Sequence, residues 1–131
     1  MKAIEIFTFF LFISVSMAST DTSDAMDTDS FSVGYKKMGI ESKATSEHFS
    51  IALVYPTHTA SKKVRFGPFE MNLSIGGKIA TGKFPLVMIS HGSGGTNLGY
   101  RSIAFELVKK GFVVGMPLHP KNNFKNNEEE G

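Results

Sequence analysis

Residues 85–118 read PLVMISHGSGGTNLGYRSIAFELVKKGFVVGMPL, and this stretch decides the fold. Pro85–Ser90 is a short apolar run, the length and composition of a buried strand. His91–Gly99 is a turn rich in glycine, with Gly92, Gly94, Gly95 and Gly99. Tyr100–Lys110 places Ile103, Phe105, Leu107 and Val108 among Arg101, Glu106, Lys109 and Lys110, a helix that Gly111 stops. Phe112–Leu118 is a second apolar strand. Strand, turn, helix and strand over about thirty residues make one βαβ unit of a parallel sheet. Ligands bind such sheets at the carboxyl ends of the strands, and the HGSGG turn falls at such an end.

Three chemistries use a glycine turn at that place. A dinucleotide fingerprint needs G-x-G-x-x-G and an acid about twenty residues on. Here Asn97 stands where the third glycine belongs, and the second strand ends Leu118-His119-Pro120 without an acid. A P-loop needs G-x-x-x-x-G-K-[ST]; Gly94 and Gly99 have the spacing, but Tyr100-Arg101 follows. The third is an oxyanion hole. Ester hydrolysis loads negative charge on the carbonyl oxygen, and backbone N–H groups aimed there stabilise it. His-Gly followed by small residues, directly after a buried strand, is where α/β-hydrolases place one donor.

The chain resembles the amino-terminal part of predicted dienelactone hydrolases of the α/β-hydrolase superfamily, the branch similar to platelet-activating-factor acetylhydrolases. The resemblance runs from about Phe31 to Asn123. It rests on Val33-Gly34-Tyr35, Val54-Tyr55-Pro56, Arg65-Phe66-Gly67-Pro68-Phe69, Phe84-Pro85-Leu86-Val87, Ser90-His91-Gly92-Ser93-Gly94-Gly95, Gly99-Tyr100-Arg101 and Pro117-Leu118-His119-Pro120. It implies an α/β fold: the amino-terminal portion of an α/β-hydrolase, with antiparallel first strands and then one βαβ unit, incomplete. It implies a carboxylic ester hydrolase acting on a small ester, without a cofactor or a metal. The backbone N–H of Ser93 would be an oxyanion donor, with Gly92 and Gly94 shaping the turn. His91, His119, Phe66 and Phe69 would lie at the substrate edge, His91 as a structural ring and the phenylalanines more as core than as contacts. The family's nucleophile is the serine of a later G-x-S-x-G elbow, followed by an acid and a histidine. No such elbow occurs here. Ser93 has His91 two residues before it and Ser90 has Met88. The chain therefore reads as the front of a serine hydrolase that lacks its triad, inactive alone, with a complementing chain if the gene is split. Two other readings stay open. One is a small exported binding protein that uses the glycine turn; the other is a hydrolase with Ser93 as nucleophile.

Composition sets the outer bounds. With 131 residues, 41% hydrophobic and 20% charged, the chain suits one globular domain at most. A net charge of +2, with Arg65 and Arg101 the only arginines, gives no reason to expect nucleic acid. The absence of cysteine excludes disulfides and cysteine-based zinc sites.

Read in order, residues 1–18 form a signal peptide: Lys2, an apolar run Ile6–Val15, then Ser16 and Ala18 before the cut. The run is too short for a membrane span, so the expected product is exported. Residues 19–30 are a disordered acidic leader with Asp21, Asp24, Asp27 and Asp29, lacking the order of a calcium loop. Residues 31–120 form the partial hydrolase domain. In it Phe31–Gly39 and Phe49–Tyr55 are expected to pair antiparallel across a polar turn, Glu41–Glu47. Pro56 ends the second strand, and Lys36-Lys37 mark a solvated edge. Thr57–Lys63 is a polar loop with a surface His58. Val64–Leu73 is an arm broken at Gly67-Pro68, and Gly76–Gly82 a hairpin connection. Residues 121–131 are a polar tail.

Overall fold

The computed structural model describes residues 31–127. The expected signal peptide, the acidic leader and the end of the tail lie outside the described residues. A six-stranded sheet runs in the order β3-β4-β1-β2-β6-β5, with one helix against it. Its members are β1 (Ser32–Glu41), β2 (His48–Thr57), β3 (Lys62–Phe66), β4 (Phe69–Ile75), β5 (Leu86–Met88) and β6 (Val113–Leu118), with α1 (Arg101–Lys109) joining β5 to β6.

The βαβ unit forms as the sequence predicts: β5 and β6 pair in parallel, Val87 opposite Val114. Gly111 follows the helix at φ 83°, the left-handed stop that glycine accepts without steric cost. Pro85–Ser90, however, is not a buried strand. Only Leu86–Met88 is extended, it occupies the edge of the sheet, and Leu86 and Met88 are 62% and 52% exposed. Sequence marks an apolar strand; only strand order tells which strand lies outermost.

The first two strands pair antiparallel over their whole lengths, from Ser32 opposite Thr57 to Glu41 opposite His48. Pro56 does not end β2 but stands inside it, opposite Val33. Its carbonyl faces away from β1 and accepts the Ala80 N–H at 2.9 Å. Its missing N–H is on that same side, beyond the last rung to β6 at Val54, so no ladder bond is forfeited. Lys36 and Lys37 are exposed, past the point where β4 leaves β1 at Tyr35. The Val64–Leu73 arm is a full antiparallel hairpin, β3 on β4, and it begins at Lys62, inside the expected loop. It turns at Gly67, φ 56°.

Gly76–Gly82 is not a hairpin connection, because β4 and β5 lie far apart in the sheet. The segment crosses past the end of β2 and is pinned there. The Tyr55 hydroxyl donates to the Gly77 carbonyl at 2.7 Å, and the Thr57 hydroxyl to the Lys78 carbonyl at 2.6 Å. The Tyr55 ring reaches that loop by lying over Gly34, where any Cβ would overlap it. Burial raises the pKa of both Tyr55 and Tyr35 above the ordinary phenol value.

The core lies between the sheet and α1. Val33, Tyr35, Ala52, Val54, Leu73, Val114 and Met116 meet Ala104 and Val108 of the helix, with Leu98 from the turn. The register puts Met38, Ile51, Leu53 and Met88 on the opposite face, where no helix of the described residues lies.

Candidate functional site: the glycine turn

The turn leaves the carboxyl end of β5 beside the carboxyl end of β6, as the βαβ reading requires. Gly95 N–H donates to the Gly92 carbonyl at 3.0 Å, and Gly94 between them has φ 65°. That is the pattern of a type II turn with Ser93 and Gly94 at its corners. Gly94 supplies the left-handed corner that this turn requires. At Gly92 a Cβ would meet nothing within 4 Å. Gly95 carries the steric demand instead, since its Cβ would come within 2.9 Å of the Gly92 carbonyl oxygen and 3.0 Å of the His91 side chain. Nothing in the sequence separates these glycines; their roles appear only once the turn type is known.

His91 is buried beneath the turn. Its Nδ1–H donates to the Gly92 carbonyl at 2.9 Å, and its Nε2 accepts the His119 backbone N–H at 3.3 Å. Those two bonds require one neutral tautomer, with the proton on Nδ1. The His91 ring thus ties the turn to the end of β6. His119 packs its ring edge-on against His91, centroids 4.7 Å apart, and its Nε2 lies 2.7 Å from the Ser90 hydroxyl. The serine that meets an imidazole is therefore Ser90. Among the described residues neither imidazole is bonded to a carboxylate, the third group a triad needs. Ser93 is exposed at the corner of the turn.

Phe66 and Phe69 stand on the β3–β4 arm, half-buried against the core. The Phe66 ring meets Tyr35 at 5.0 Å, and the Arg101 guanidinium sits 4.0 Å over the Phe69 ring. Both line an open cleft of about 530 Å³ between the arm and the turn, together with Leu98, Leu118 and Phe124. His119 faces a second cleft of about 520 Å³ with Ile40 and Phe49.

Residues 121–127, expected as polar tail, form a small hairpin of β7 (Asn122–Asn123) and β8 (Asn126–Asn127). It sits on the turn. The Asn122 side-chain oxygen accepts the Gly94 N–H at 3.0 Å, and the Phe124 N–H donates to the Gly95 carbonyl at 3.0 Å. No apolar period announces this hairpin, because its anchors are amides. Among the described residues no group of histidine, cysteine and carboxylates could hold a metal ion. None of their helices is long and apolar enough to cross a membrane.

A mixed sheet with antiparallel first strands, one βαβ unit and a glycine turn at the strand ends defines a partial α/β-hydrolase fold. Residues 35–124 match the family described as platelet-activating factor acetylhydrolase, isoform II, and the chain belongs to that family of hydrolases. No curated protein matches the chain.

Proposed function

We propose that this chain is the amino-terminal part of an exported serine hydrolase for carboxylic esters, and that its glycine turn supplies one wall of the oxyanion hole. The observation that carries the reading is the turn itself: in a chain of this family, His91–Gly95 stands at the carboxyl ends of β5 and β6 with Gly94 left-handed. In this reading the Ser93 N–H is a donor to the developing oxyanion, and the aromatic cleft at Phe66 and Phe69 borders the ester. Nucleophile, acid and base come from outside residues 31–127.

The test is a fluorophosphonate probe applied to the recombinant chain. The expected result is no serine adduct. An adduct on Ser93 would favour a self-sufficient hydrolase, and one on Ser90 would show that the Ser90–His119 contact activates the hydroxyl. A non-catalytic binding protein is the second reading, favoured by the aromatic cleft of about 530 Å³. A stable covered monomer would be expected of it.

A further inference from the structure

We propose that Asn122 is a positioning residue for the glycine turn, holding the Gly94 amide from the β7–β8 hairpin so that the turn is set before substrate arrives. The assignment of the turn to ester chemistry rests on the function proposed above; the clamp itself does not.

Glycines at 92, 94, 95 and 99 give this segment wide conformational freedom. An oxyanion hole works only if its donors are fixed in advance. Within the turn, one bond joins Gly95 N–H to the Gly92 carbonyl. Two more come from the hairpin, and they grip adjacent residues: Asn122 takes the N–H of Gly94, and Phe124 N–H reaches the carbonyl of Gly95.

The hairpin is itself anchored. Asn123, 5% exposed, donates from Nδ2 to the His119 carbonyl at 2.6 Å and to the Pro120 carbonyl at 3.1 Å. Its Oδ1 accepts the Lys125 N–H at 2.9 Å. His119 in turn is held through its N–H by His91, which bonds back to Gly92. The bonds close a ring from His91 through His119 and Asn123 to the hairpin and back to Gly94 and Gly95. One consequence bears on chemistry. The Gly94 amide is committed to Asn122 and the Gly95 amide to Gly92, so neither of these two is a donor to substrate.

The experiment is amide exchange by NMR on the chain, comparing wild type with Asn122→Ala and Asn122→Asp. Aspartate keeps an acceptor oxygen at the same place; alanine has none. Gly94 exchange should rise about tenfold in N122A, the loss of one net hydrogen bond. It should return near wild type in N122D, with Val54 and Val114 exchange unchanged in both. Equal Gly94 exchange in N122A and wild type, or no rescue by N122D, would overturn the proposal. A second measurement needs no variant. Wild type should show a through-hydrogen-bond coupling between the Gly94 amide nitrogen and the Asn122 side-chain carbonyl carbon, and its absence would equally overturn the clamp. Neither readout involves hydrolysis, so a failed ester reading and a failed clamp are told apart.

Discussion

At the scale of single residues, the turn makes opposite demands on glycines that look alike in the sequence. Gly95→Ala must push a Cβ against the Gly92 carbonyl at 2.9 Å, and backbone oxygen yields little. A loss of about 1–3 kcal/mol is expected. Gly92→Ala meets no neighbour and should leave stability within about 0.5 kcal/mol. Denaturant melts of the two variants check this; equal losses would show the turn is not the one described. His91 adds a spectroscopic prediction. Donating to Gly92 and accepting from His119 at once fixes the Nδ1–H tautomer, which imidazole nitrogen shifts will report. The Nε2–H tautomer would break that linkage. The residue scale is also where the sequence was least informative. H-G-S-G-G announces an oxyanion-type turn by composition, but turn type decides which glycine is needed. The partners Asn122 and Asn123 lie 28 residues from the turn in one bond and carry no pattern at all.

At the scale of elements, α1 shows how much periodicity can give. Apolar spacing and Gly111 place the helix correctly, and Ala104 and Val108 are its fully buried contacts. Glu106 and Lys109 pair on the exposed side at 2.7 Å. The hydrogen bond and charge of Lys109 lower the Glu106 pKa below the ordinary carboxylate value. Because the folded value is the lower one, the pair helps the folded state above the unfolded carboxylate range. That help fades as pH falls through the folded value. In Lys109→Ala, Glu106 should titrate higher by NMR; an unchanged titration would show that the pair does not persist in solution. In β6, Met116 is fully buried against the helix side of the sheet, and Met116→Ala should cost about 2–5 kcal/mol in a denaturant melt. A cost under about 1 kcal/mol would place Met116 outside the core. The strands were legible because their apolar runs are local. Pro56 inside β2 was not, since its tolerance depends on where the β6 ladder stops.

At the scale of the whole molecule, the described residues place their helix on one face of the sheet only. Leu86, Met88 and Met38 are 62%, 52% and 38% exposed, and exposed apolar side chains on one sheet face favour association. The chain should bind ANS, and replacing Leu86 and Met88 by lysine should reduce that binding without lowering the melting temperature. A sharp, reversible melt of a monomer that binds no dye would count against it. That several strands share the helix of residues 101–109 was foreseeable, whereas the order that makes β5 the edge was not.

The central claim is that the glycine turn serves a serine hydrolase whose nucleophile lies outside residues 31–127. Its most direct test is the native product, captured from the source cells with an antibody to residues 31–60, treated with a fluorophosphonate and weighed intact. The expected product is well above the 14.3 kDa of this chain, with its adduct on a serine outside those residues. A product no heavier than 14.3 kDa that carries the adduct on Ser90 or Ser93 would contradict it.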